Sequence, residues 1–147
     1  QSLEEIPFEV WKRKFDVETT GSFQLFKQVI PQMIQQQWGR VINFTGVDAF
    51  NGADVMSSAT EMGLVGLTRG IAREYGKHNI TANCIGPGGI ENQESEGLHP
   101  AELSQRNGIP RRGTPEEIAF LALTLCSEGA SYITGQSLLA DGGKHFL

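Results

Sequence analysis

Apolar positions along this chain come in two rhythms. From about Phe8 to Gln37 they recur at helical spacing: Phe23, Phe26, Ile30 and Met33 form one stripe, and Trp11 and Phe15 form a similar pair earlier. The spacing predicts a helix, with Gly21 and Pro31 marking a break or kink and Trp38-Gly39-Arg40 ending it. A second helix is predicted from about Met56 to Gly76. Leu64, Leu67 and Ile71 make its apolar face, and Ala59, Gly63 and Gly66 offer small surfaces where another helix can approach; Lys77-His78-Asn79 is its exit. A third starts at Thr114-Pro115-Glu116-Glu117. There Thr114 caps, Pro115 suits the first helical position and Glu117 reaches back to the cap amide, with Ile118, Leu121 and Leu125 as the buried face.

Between these helices lie short apolar runs with the look of buried strands: Val41 to Phe44, Ile80 to Ile85, and Ser137 to Ala140. Turn residues bound them. A polar loop from Gly46 to about Val55 follows the first. Gly86-Pro87-Gly88-Gly89 breaks the second, and Asp141-Gly142-Gly143 closes the third. Glu91 to Arg112 is polar and aperiodic, a surface excursion. Helices alternating with strands imply right-handed crossovers and a parallel sheet. The expectation is a single α/β domain over 1–147, with about three parallel strands and flanking helices.

Composition narrows the function classes. The 147 residues carry a formal charge of −5 with no basic run, which argues against a nucleic-acid partner. No apolar run approaches the ~20 residues needed to span a bilayer, and no signal-peptide pattern opens the chain, so no membrane role is expected and a cytoplasmic address fits. The two cysteines, Cys84 and Cys126, are far apart in apolar contexts and read as buried reduced thiols. His78, His99 and His145 show no ligand spacing, so no metal site is expected. Trp11 and Trp38 read as packing anchors.

Several motifs together resemble the short-chain dehydrogenase/reductase family, in the branch of 3-oxoacyl-carrier-protein reductases and sugar dehydrogenases. Trp38 to Asn43 is similar to that family's fifth strand, and Gly63-Leu64-Val65-Gly66-Leu67-Thr68-Arg69 to its long active-site helix. Asn79 to Asn83 followed by Gly86-Pro87-Gly88-Gly89 is similar to its sixth strand and Pro-Gly loop. Thr114 to Ala119 is similar to the next helix start, and Ile133 to Gly143 to the closing strand. Trp11 to Gly21 is similar to the helix leading to the dimer interface. The resemblance covers nearly the whole chain. It implies the C-terminal half of a Rossmann-like, doubly wound parallel sheet. The N-terminal dinucleotide-binding half, with its glycine-rich phosphate turn and the residue that selects NAD or NADP, is absent. The first strand here would then carry an open edge.

The resemblance also implies a catalytic Asn, Ser, Tyr and Lys. The Tyr moves the proton, the Lys binds the ribose and lowers the Tyr pKa, the Ser orients the reacting oxygen, and the Asn holds a relay water. Carried over by position, the Asn slot is Glu18. The Ser slot is Gly46, with Thr45 beside it as a substitute hydroxyl. The Tyr slot is Ser57 and the Lys slot is Glu61; Ala59, Gly63 and Leu64 set the register of these last two. All four slots differ. Ser57 has no group titrating near neutrality, and Glu61 replaces a cation by an anion, which raises rather than lowers a nearby acid's pKa. General acid–base catalysis is worth about 100- to 10,000-fold, so losing the acid and its activator together removes the family's chemistry.

The leading reading is therefore a degenerate, inactive relative. It would act by homo- or hetero-oligomerisation through the helices at about 19–37 and 56–76 and the C-terminal strand, and the same pattern fits a partial gene product. The alternative is an NAD(P)-dependent oxidoreductase, moving hydride between alcohol and carbonyl. In it Pro87, Gly88, Ile90 and Asn92 would touch NAD or NADP, with a missing half supplied or a modified site. A third reading, hydrolysis by Glu18, Ser57 and Glu61, lacks a histidine to complete a triad. Glu61 then reads as part of a solvated helix face.

Overall fold

In the computed structural model, residues 2–92 and 108–146 are described. Their order is α1 (Phe8–Phe15), a π-helical turn (Asp16–Thr20), α2 (Gly21–Gln36), β1 (Gly39–Phe44), α3 (Asp48–Asn51), α4 (Val55–Tyr75), β2 (Ile80–Pro87), α5 (Pro115–Cys126) and β3 (Ser137–Ala140). The three strands form one parallel sheet in the order β1-β2-β3. The register runs from Gly39 opposite Ile80 to Phe44 opposite Ile85, and from Cys84 opposite Ser137 to Pro87 opposite Ala140. The α/β expectation and the parallel sheet hold.

Helices α2 and α4 cover one face. Phe26 and Ile30 from α2 meet Ile71 and Ala72 from α4 over Val41 and Ala82 of the strands. Because side chains alternate along a strand, the other face is left for α5, which packs on β1 and β2 with Leu125 buried. Burying residues as fully as Ile80, Ile85, Val65 and Leu125 contributes roughly 1.5–3 kcal/mol each. Beneath the middle of α4 lies a neutral polar chain. Asn43 Nδ2 donates to Thr68 Oγ1 at 2.7 Å, Cys84 Sγ donates to the same oxygen at 3.1 Å, and Thr68 passes its own proton to the Leu64 carbonyl at 2.8 Å. Burial pushes the Cys84 thiol up, so it stays protonated.

Several local details differ from the sequence reading. Gly21 and Pro31 do not break the first helix: Gly21 has helical φ of −58° and Pro31 lies inside α2. The irregularity is the π turn just before Gly21. Helix α2 ends at Gln37, whose left-handed conformation (φ 51°) lets the Trp38 N–H reach back to the Met33 carbonyl. The Gly46–Val55 loop contains the short α3. Strand β2 continues through Pro87, because Gly88 N–H still donates to the Ala140 carbonyl at 3.0 Å. A Cβ at Gly88 would sit 2.6 Å from the Asp141 Cα, so only glycine permits that approach. Cys126 is only half-buried. Trp11 stacks on Phe15 at 4.8 Å; Trp38, partly exposed, lies under the Arg40 guanidinium and donates to Glu128. The capping box at Thr114 forms as expected, with both reciprocal bonds. Of the Glu91–Arg112 excursion, 93–107 lie outside the described residues.

Candidate functional site

Three elements converge at the first turns of α4. The π turn brings in Glu18 and Thr19. Thr19 Oγ1 donates to the Thr60 carbonyl at 3.2 Å, and the Thr19 side chain packs against Gly63. Glu18 accepts the Thr60 hydroxyl proton at 2.5 Å and pairs with Lys14 Nζ at 2.9 Å, one helical turn earlier. Wide turns of this kind recur at functional sites, and here the turn places a carboxylate against α4. The Lys14 ammonium is held above its ordinary range. The bond to Glu18 is the main cause and burial opposes it; the charges of Asp54 and Glu61 add to the effect. Lys14 thus stands among three carboxylates.

Glu61 is not on a solvated face, contrary to the sequence reading. Its side chain turns back under the loop after β1, where Oε2 accepts the Ala49 N–H at 2.9 Å. It also lies over Gly46: a Cβ there would meet Oε1 at 2.9 Å and Oε2 at 3.0 Å. The Ser and Lys slots of the resemblance are thus in direct contact. Ser57, in the Tyr slot, belongs to the start of α4. Its N–H donates to Asp54 Oδ1 at 2.9 Å, and its hydroxyl also bonds that carboxylate, which together hold Asp54 below the usual range. The hydroxyl is thereby part of a helix cap, and Glu18 engages Thr60 instead of Ser57. The hydrolytic grouping of Glu18, Ser57 and Glu61 is not assembled. Thr45 is buried beside Gly86, its hydroxyl without a hydrogen-bond partner among the described residues.

The four cofactor-slot residues lie at the C-terminal end of β2, where parallel α/β sheets bind ligands. Pro87 pairs with Ala140, and Gly88 is locked to β3. Ile90 bridges to Gly113 and accepts Arg112 Nη1 at 3.2 Å, and Asn92 is exposed at the border of the described residues. A cavity of about 160 Å³ opens between this loop and the start of α5, lined in part by Gly89, Arg111, Glu117 and Asp141. The resemblance gives the ribose of a nicotinamide cofactor a lysine partner one turn after the tyrosine. The loop backbone suits such a group, but the position one turn after Ser57 holds a carboxylate tied to Ala49. The described residues therefore do not fit the cofactor in the manner the resemblance implies.

Sequence reasoning missed Lys14, Asp54 and Thr60. Two had a signal: Lys14 stands four residues before Glu18, and Asp54 three before Ser57, a helix-cap spacing. It also missed a pairing of the C-terminal segment. Asp141, buried, accepts His145 Nδ1 at 2.9 Å and the Gly143, Lys144 and His145 N–H groups; His145 Nε2 faces Asn51 at 3.3 Å. Burial alone would raise the Asp141 carboxyl, but these donors outweigh it and hold it low. No set of three or more potential metal ligands occurs among the described residues, and none of their helices is long and apolar enough to cross a membrane.

Comparison with known proteins places these features. Residues 1–145 match the family described as Enoyl-(Acyl carrier protein) reductase. The chain is 39% identical over 139 residues to the 3-oxoacyl-(acyl-carrier-protein) reductase FabG of Aquifex aeolicus, covering 90% of this chain and 56% of that protein. Among solved structures, acetoin dehydrogenase YohF from Salmonella typhimurium superposes with a TM-score of 0.85 at 36% identity, over 98% of this chain and 58% of that one. YwfH, an NADPH dependent reductase involved in bacilysin biosynthesis, superposes at 0.89 with 29% identity, over 100% of this chain and 63% of that one. The chain spans just over half the length of the relatives it matches.

Proposed function

We propose, from the premise that this chain belongs to the short-chain dehydrogenase/reductase family, that it does not perform the family's proton transfer and acts through association. The observation that carries this reading is the contact between Gly46 and Glu61. The carboxylate, bound to the Ala49 N–H, fills the space of the missing serine side chain and leaves no cation one turn after Ser57. Ser57 gives its hydroxyl to Asp54 as a cap. No group in the Tyr slot is able to exchange a proton near neutral pH.

Association is supported by apolar surface left open. On α2 and α4, Phe23, Leu25 and Met62 are exposed, and Gly66 and Gly70 have open space above them. A groove between these helices is lined by Phe26, Ile30, Leu67 and Tyr75. Among the described residues, β1 is paired on one side only, and Phe120 and Leu123 of α5, which packs on β1, are about 70% exposed (73% and 71%). A homo- or hetero-oligomer through α2, α4 and the C-terminal strand covers the first of these surfaces. A companion α/β segment covers the second.

The test is hydride transfer by the unmodified chain, with NADH and NADPH, against small ketones and 3-oxoacyl thioesters, alongside sedimentation of the same sample. The expected result is no turnover and a species larger than the monomer. Turnover at enzymatic rates sinks the reading in favour of an NAD(P)-dependent oxidoreductase, which the retained loop at Pro87, Gly88, Ile90 and Asn92 would serve.

A further inference from the structure

The two slot residues that meet have a meaning beyond lost chemistry. Gly46 leaves its Cα face bare, and both oxygens of Glu61 lie against that face, 2.9 and 3.0 Å from where a Cβ would stand. One oxygen takes the Ala49 N–H at 2.9 Å. Glu61 also adds to the field that holds the Lys14 ammonium charged. The space therefore has the shape of a planar two-oxygen group, a donor for one of its oxygens, and a cation in electrostatic reach. A side chain at 46 would require the Glu61 carboxylate to shift, and a lysine at 61 would bring an ammonium to an N–H donor.

We propose that Gly46 and Ala49 make a small carboxylate pocket whose occupant is the chain's own Glu61 side chain. The pocket is closed from within. A tethered group competes at an effective concentration on the order of millimolar or more, so an outside ligand reaches the centre of the site only by displacing it. Gly46 and Glu61 are then one packed unit. The proposal rests on packing and holds whether or not the chain turns over a substrate.

The experiment is thermal unfolding of the full chain and of Glu61→Ala, titrated with formate and acetate against chloride at equal ionic strength. Glu61→Ala is expected to melt roughly 5 °C lower, from loss of a charged hydrogen bond. Formate or acetate is expected to raise that variant's Tm by about 2 °C, as ligand binding to the folded state requires, and to leave the unmodified chain unmoved. An equal rise in both proteins would mean an adventitious ion only and overturns the proposal. So does no rise in the variant, or an unchanged Tm on removing Glu61. Should Glu61→Ala fail to fold, Glu61→Gln decides: the neutral amide keeps the shape and loses the charge held at the Ala49 N–H, so a lower Tm is expected, and an unchanged Tm overturns the proposal. None of these readouts involves hydride transfer, so the assay above fails or succeeds separately.

Discussion

Helix α4 carries two polar clusters about two turns apart, and they differ in kind. The inner one, Asn43–Thr68–Cys84, is neutral and buried, and the Thr68 oxygen serves both neighbours. The outer one, around Thr60 and Glu61, is charged and half-open, with Lys14 set among Glu18, Asp54 and Glu61. The inner cluster joins a strand pair to a helix and has no route to a ligand. The outer one holds the positions to which the resemblance carried the catalytic slots. Buried neutral networks resist change because any missing partner leaves an unsatisfied group. Solvent-accessible charges exchange sign more cheaply, since water screens the misfits. That difference predicts that the outer cluster tolerates substitution better than the inner one.

Substitutions ordered by size test the contrast. The largest loss is expected on the buried side. Asn83 is fully buried, donates to the Ile133 carbonyl and accepts the Gln136 N–H; Asn83→Leu should cost about 3 kcal/mol in urea unfolding. Thr68→Val leaves the Asn43 amide without its acceptor and should cost about 2 kcal/mol by the same measurement. If Thr68→Val is neutral, the inner network is not what holds β1, β2 and α4 together. At the outer cluster Thr60→Val removes the bond to Glu18, and about 1 kcal/mol is expected. A loss larger than that of Thr68→Val would reverse the comparison.

Two surface tests sharpen it further. The Glu117 carboxyl is lowered from 4.5 to about 2, by Arg111 first and by the Thr114 N–H. Its stabilising effect is complete above pH about 4.5 and is lost as pH falls through about 2. Glu117→Gln should therefore flatten the acid limb of a melting curve in that window and leave its shape above pH 6 unchanged, apart from a uniform offset from the weakened cap. Smallest of all, Lys12→Ala breaks an exposed pair with Asp16 and should change stability by at most about 0.5 kcal/mol.

Legibility followed locality. The capping box at Thr114 was readable because its four residues are adjacent and each satisfies another. The strands were readable as apolar runs between turns. The π turn was not readable, since widening one helical turn changes no residue type; glycine and proline drew attention a few residues too far along. Glu61 was misread because an exposed-looking carboxylate on a helix gives no sign that a bare glycine fifteen residues earlier makes room for it. Asp141 and His145 are four residues apart, but the turn at Gly142 and Gly143 that joins them, with positive φ at both, is a tertiary outcome.

The sequence by itself determined the α/β class, the parallel sheet and the family, because periodicity, caps and motif spacing are local properties of a chain. Only the tertiary structure decided what the replacements do. Whether a carboxylate faces water or a backbone amide, and whether a hydroxyl serves a cap or a relay, depends on which surfaces meet across segments that sequence distance keeps apart. Here they met so that Glu61 fills the space above Gly46 and accepts the Ala49 N–H, a contact between segments that no local pattern in the chain encodes.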